Sequence, residues 1–280
     1  MLDLHAHTVA SDGGDRPEEL VAAAATTGVE TLAVTDHDTV GGVAEARAAG
    51  ERLGVEVLAG CELTATVGDR VVHVLVYGEG LLEPELAHAV EAARRGRSER
   101  NLAIGERLER LWGSATTTPS AWPGPASCPA PTTPGRWSPA GRGRRGRGLR
   151  PLPVVRPAYV PAPPVPVTDA VALAAKAGGV AVLAHPGRLA AGERDRVLAE
   201  ALEVGIDGIE VWHSQHDPGL RRSLAALAER PGLLASGGSD YHGRHKPDVR
   251  VGTGCAGNVT APPECLASLR RRLASPSPAE

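Results

Sequence analysis

Short apolar runs and longer amphipathic stretches alternate along most of the 280-residue chain. Runs dominated by Val, Leu, Ile and Ala predict strands over 2–8, 31–36, 55–63, 70–77, 180–185, 208–213 and 233–239. Between them, apolar residues at helical spacing predict helices over 17–28, 41–53, 83–111, 168–177, 190–204, 219–230 and 262–273. Gly28, Gly54 and Gly205 fall just past three of these stretches, where a helix end favours glycine. Such alternation implies a parallel sheet with crossover helices, closed as a barrel or doubly wound.

One segment breaks the alternation. From Leu111 to Thr168 there is no Asp or Glu, although the chain carries 33. Prolines crowd it, six arginines fall between Arg136 and Arg150, and three of the four Trp residues lie within it. Neither period survives between about Gly113 and Val155. A disordered, basic, Pro/Gly-rich loop able to bind RNA would have this composition. So would a stretch translated in the wrong frame, since a GC-rich gene read out of frame yields Pro, Arg, Gly, Ala, Ser and Thr and loses its acids. The loss of acids together with period favours the frame error. An intact open frame on resequencing, with no compensating insertions or deletions, would rule it out. The chain accordingly divides into 1–112, an inserted segment over 113–155, and 156–280.

The net charge of −3 gives no global nucleic-acid footprint. No apolar run approaches membrane-spanning length, and the amino terminus runs straight into a polar, His-rich strand, so neither a signal peptide nor an anchor is evident. Cys61, Cys128, Cys255 and Cys265 have no CxxC spacing and read as reduced thiols of a cytoplasmic protein. No stable protein partner is indicated.

The chemistry sits where predicted strands end. In Asp3-Leu4-His5-Ala6-His7-Thr8 two histidines at i and i+2 share one face of a strand, and Asp12 can return a carboxylate past a turn. Thr35-Asp36-His37-Asp38-Thr39 closes the second strand, and Glu62 closes the third. His73 interrupts the apolar run Val71–Gly78, His185 ends Val180–Ala184, and Gly237-Gly238-Ser239-Asp240-Tyr241-His242-Gly243 holds a second i, i+2 pair. In a parallel α/β fold the carboxyl ends of strands converge on one face, so these residues meet in space. Taken singly each has an ordinary explanation: a hydrogen-bonded core histidine at His73, an Asx-turn at Asp12, a helix cap at Asp240. Jointly they do not crowd strand ends by accident. His88 and His245 lack such placement and read as surface. His213 and His216 follow a strand end and read as pocket lining rather than ligands. Imidazole and carboxylate without thiolate suit manganese, zinc or iron, and nine ligands suit two or three ions rather than one. Such clusters clamp a phosphoryl group and activate water for in-line attack.

DLHAHTxxSDG, TDHDT, the GCE glutamate, the HVLVYG histidine, AHPGR and GGSDYHG together resemble the PHP (polymerase and histidinol phosphatase) superfamily. The likeness covers about 1–112 and 156–257, and is greatest to short bacterial nucleotide 3′,5′-bisphosphate phosphatases and 5′-to-3′ exoribonucleases. The resemblance implies a distorted (β/α)7 barrel with a trinuclear cluster, manganese foremost among its metals. By matching position it implies the ligands His5, His7, Asp12, His37, Glu62, His73, His185, Asp240 and His242, with Glu62 bridging. It implies hydrolysis of a small nucleotide phosphate or the end of a short RNA. Relatives carry a helical insertion with a Gly-Arg-Pro-His-like phosphate grip, which 113–155 lacks; Arg188 is the remaining candidate for a phosphate contact. Histidinol-phosphate phosphatase is the rival within the family, and Asp12, where that enzyme's cluster has a histidine, tilts away from it. A vestigial barrel with a basic RNA-binding loop, and an inactive product of a damaged gene, are the rivals outside it.

Overall fold

The computed structural model describes residues 1–92, 94–95 and 165–275. The inserted segment 113–155, the expected helix beyond 95, Cys128 and the arginine run all lie outside the described residues. In chain order the elements are β1 (Leu2–Ala6), α1 (Pro17–Thr27), β2 (Thr31–Val34), α2 (Val43–Leu53), β3 (Glu56–Val67) and β4 (Arg70–Tyr77), then α3 (Val167–Lys176), β5 (Val180–Leu183), α4 (Ala191–Glu203), β6 (Gly208–Trp212), α5 (Pro218–Ala228), β7 (Leu234–Gly237) and α6 (Pro263–Ala274). A two-stranded ribbon, β8 (Val249–Arg250) with β9 (Gly254–Cys255), was not foreseen. Among the described residues no helix is long and apolar enough to cross a membrane, and Cys61, Cys255 and Cys265 are free thiols.

The strands run β1 to β7 in sheet order. The two edges then meet: His7 N donates to Tyr241 O and Asp240 N donates to His5 O, each at 2.9 Å, with Ala6 bridged in parallel to Tyr241. The sheet is therefore a closed barrel, the first of the two closures the alternation allowed. It is not parallel throughout, which corrects the sequence expectation. β3 pairs antiparallel with β4, and β4 antiparallel with β5; the other four pairings are parallel. The cause is local. Only Gly68 and Asp69 join Val67 to Arg70, and a two-residue link can make a hairpin but never a crossover.

That reversal matters for the site. β4 runs against its neighbours, so its first residues, not its last, reach the rim where β1, β2, β5, β6 and β7 end. A residue inside its run, His73, thereby joins residues that follow other strands. Val, Leu and Ala fill the core in the absence of Phe, and Tyr77 is its largest fully buried side chain, its hydroxyl donating to Leu4 O at 2.7 Å.

Candidate metal centre

The carboxylate of Glu62, 1% exposed, stands at the middle of the rim. Its Oε2 lies 3.2 Å from His5 Nε2 and 3.0 Å from His7 Nε2, and those nitrogens are 3.1 Å apart. Asp240 Oδ1 is 3.7 Å from the first and 3.5 Å from the second. Ligand atoms about 2.1 Å from a tetrahedral metal are about 3.4 Å from one another, so both Glu62 Oε2 and Asp240 Oδ1 stand at ligand spacing from the two imidazole nitrogens. Glu62 Oε1 faces the other way, 2.8 Å from both His73 Nδ1 and His185 Nε2.

A third set lies further out. Asp12 Oδ2 is 3.7 Å from His37 Nε2 and 3.5 Å from His242 Nε2, while Asp12 Oδ1 is 3.5 Å from His7 Nδ1. The structure thus brings all nine residues singled out in the sequence into four overlapping groups, each with its donor atoms within 4.8 Å: His7, Asp12, His37 and His242; His5, Glu62 and His185; His5, His7 and Asp240; His37, Glu62 and His73.

Local chemistry explains the convergence. The loop carrying Asp12 is pinned by Asp36, which accepts from Thr8 N (2.8 Å), Thr8 Oγ1 (2.7 Å) and Ser11 Oγ (2.6 Å). On the far side, Asp3 accepts from Ser239 N (2.9 Å) and Ser239 Oγ (2.6 Å), fixing the segment that bears Asp240. Gly238 packs so closely on β1 that an added Cβ would lie 2.4 Å from His5 N. His185 (φ 26°) and Asp240 (φ 57°) occupy the left-handed region, strain that gathers at functional sites and needs an imposed contact to hold it. For His185 that contact is its N–H to Glu210 Oε2 at 2.6 Å; for Asp240 it is the bond to His5 O.

Glu210 escaped the sequence reading. It is fully buried in β6, and its Oε1 sits 2.9 Å from His5 Nδ1. The carboxylate makes Nδ1 the protonated nitrogen, which turns the lone pair of Nε2 toward Glu62 and Asp240. A sequence signal existed: an acid inside the apolar run Gly208-Ile209-Glu210-Val211-Trp212. His242 is fixed in the same way by donating Nδ1–H to Asp240 O at 2.9 Å.

His213 and His216 are now distinguishable from ligands. His213 Nδ1 accepts from Gln215 N at 3.1 Å, so Nε2 carries its proton and donates to Asp240 Oδ2 at 3.3 Å. His216 Nε2 accepts from Gly187 N at 3.1 Å and its Nδ1–H donates to Val211 O at 2.9 Å. His88 is exposed, as expected. His245 is exposed too, yet its Nδ1 reaches Asp12 O at 2.9 Å.

The donor set suits divalent cations. His7 Nδ1, His37 Nδ1 and His73 Nδ1 are buried without an aligned hydrogen bond, although each lies 2.8 to 3.5 Å from a carboxylate oxygen. Nitrogen lone pairs facing carboxylate oxygens repel unless a cation stands between them. Burial pushes His37 down to about 3 and His185 down to about 4, keeping them neutral as a metal ligand must be. Burial acts the same way on His7, but hydrogen bonds to Asp240 and Glu62 outweigh it and raise it to about 9. Glu62 and Asp240, despite burial, and the half-exposed Asp12 are held well below the carboxylate range by the imidazoles around them, with Lys246 adding its charge at Asp240. A pocket that recruits protons onto His7 is one that demands positive charge.

Beside His73 and His185 opens a cavity of about 250 Å³, walled by Val71, Val72, Leu183 and Leu189, with the exposed Arg188 among its lining residues.

The PHP domain profile matches residues 3–103. The chain is 36% identical over 253 residues to a 3′,5′-nucleoside bisphosphate phosphatase of Chromobacterium violaceum, covering 86% of this chain and 87% of that one. It is also 36% identical over 274 residues to a phosphoribosyl 1,2-cyclic phosphate 1,2-diphosphodiesterase of Eggerthella lenta (89% and 97% covered). Identity to the Escherichia coli 5′-3′ exoribonuclease Rnm is 33% over 263 residues (86% and 85%). Two solved structures superpose with a TM-score of 0.68 at 29% identity, covering 97% of this chain and 96% of theirs. One is a Bifidobacterium adolescentis protein assigned as a metal-dependent phosphoesterase; the other is a Chromobacterium violaceum protein described as an amidohydrolase with bound sulfate and no metal.

Proposed function

The chain belongs to the PHP family of metal-dependent phosphoesterases, and from that premise we propose that it hydrolyses a phosphate ester of a small nucleotide or the end of a short RNA. The observation that carries the reading is Glu62, one buried carboxylate with an oxygen turned to each of two ligand sets. We assign His5, His7, Glu62 and Asp240 to a first ion, Glu62, His73 and His185 to a second, and Asp12, His37 and His242 to a third, with manganese ahead of zinc or iron. When bound, such ions lower the pKa of a coordinated water and neutralise charge building on the phosphoryl oxygens.

The chain's own residues do the rest. Glu210 holds the His5 ring so that only Nε2 is offered inward. Arg188 has the planar fork that grips phosphate oxygens in pairs, and it lines the cavity beside His73 and His185. Asp12, half exposed, leaves the outward side open to an incoming ester.

The test is metal analysis of the purified protein followed by phosphate release from adenosine 3′,5′-bisphosphate with manganese. Two or three ions per chain and released phosphate are expected. A protein that binds no metal would overturn the site assignment. The equal identity to the Eggerthella lenta diesterase favours one second reading, a cyclic phosphodiester. Opening of a ribose 1,2-cyclic phosphate without action on the bisphosphate would select it.

A further inference from the structure

The carboxylate of Asp240 is held on both sides, and its two oxygens have different neighbours. Oδ1 faces His5 Nε2 and His7 Nε2, at 3.7 and 3.5 Å. Oδ2 accepts from Lys246 Nζ at 2.7 Å and from His213 Nε2 at 3.3 Å. The proton on His213 Nε2 is required, because Nδ1 of the same ring is occupied as an acceptor by Gln215 N. Lys246 is brought back to a residue six positions earlier by the short 3₁₀ turn Gly243–His245, closed by Lys246 N to Gly243 O at 3.0 Å. Its side chain is 19% exposed, and among the described residues Asp240 is its one ion-pair partner. Burying a lysine is costly unless a charge repays it, so this ammonium is committed to that oxygen.

We propose that Lys246 and His213 are positioning residues that claim Oδ2 of Asp240 and thereby present Oδ1 alone to the first metal ion. The assignment rests on the ligand set proposed above. Without the clamp the carboxylate would rotate about its Cβ–Cγ bond or offer both oxygens, and the left-handed backbone of Asp240 would lose part of what holds it. Lysine and a neutral imidazole divide the work: the ammonium supplies charge and His213, buried against β6, supplies direction.

Lys246→Met and His213→Leu remove the donors, whereas Lys246→Arg and His213→Gln keep one. Each protein, checked for folding by circular dichroism, is stripped of metal and titrated with Mn²⁺ against a competing chelator in the absence of substrate. Lys246→Met and His213→Leu are expected to lose about ten- to a hundredfold in the affinity of the tightest site, the range for outer partners of metal ligands. Lys246→Arg and His213→Gln are expected to recover most of it. Unchanged affinity in both donor-free variants would overturn the proposal, and so would tighter binding in Lys246→Met, which would make Lys246 a stand-in for the cation. If Lys246→Met does not fold, the His213 pair decides alone. Asp240→Asn in the same titration separates the two levels: if it binds like the parent, the ligand assignment itself fails. If the parent binds Mn²⁺ but hydrolyses no phosphate ester, the activity reading fails and the clamp stands.

Discussion

The two sides of the cluster are built to different standards. On the inner side, formed by β1, β3, β6 and β7 and the residues that follow them, His5, His7 and Glu62 are at most 1% exposed and Asp240 4%, and His5 and Asp240 have outer partners in Glu210, His213 and Lys246. On the outer side Asp12 is 53% exposed, His37 12% and His73 22%. Groups locked by packing and hydrogen bonds pay little to bind a cation, whereas exposed groups must be ordered first. The inner side is thus the fixed floor of the site, and the outer side is where exchange with solvent and substrate takes place.

The comparison can be broken experimentally. His5→Ala removes a donor from the floor and is expected to reduce turnover to background and to abolish tight metal binding; activity above background would show that the floor is not the centre. Glu210→Gln leaves His5 in place but takes away the carboxylate charge facing its Nδ1–H, and a loss of about ten- to a hundredfold in metal affinity is expected by competition titration. Asp12→Asn acts on the outer side: metal analysis should find one ion fewer per chain, while the tightest site keeps its affinity. An equal loss at every site would mean that the two sides are one unit. Arg188→Ala is expected to act least. Loss of a charged hydrogen bond worth about 1.5–3 kcal/mol should appear as a rise in KM of about ten- to a hundredfold, with kcat and metal content little changed.

What the chain announced in advance was the set of side chains that stand in short motifs at strand ends. HxH, the glutamate after Gly60-Cys61, His185 before Pro186 and the Asp240–His242 pair are each local, and a barrel brings strand ends together wherever the crossovers go. Strand and helix positions were legible for the same reason, since period is local. The outer partners were not. Lys246 reaches Asp240 only through a turn whose shape no spacing encodes, and Glu210 meets His5 across 205 residues. The hairpin was readable but missed: the six residues between the strands expected over 55–63 and 70–77 already leave too little chain for a crossover. Arg188 lines the cavity next to His185, and its part in substrate binding stands as a proposal.

Closure of the barrel has a bearing on how the protein is made. Its first strand supplies His5 and His7, and its seam is completed by Asp240 and Tyr241. A nascent chain emerges from the ribosome amino terminus first. Its earliest ligands must therefore wait for Asp240 until the chain has been synthesised through β7. Cation capture would then be a late event in biogenesis, and any product ending before residue 240 would lack the floor of the site however well its earlier helices had formed. Bound metal would in that way certify a closed barrel, and pulse-labelled chains released before residue 240 should fail to retain it.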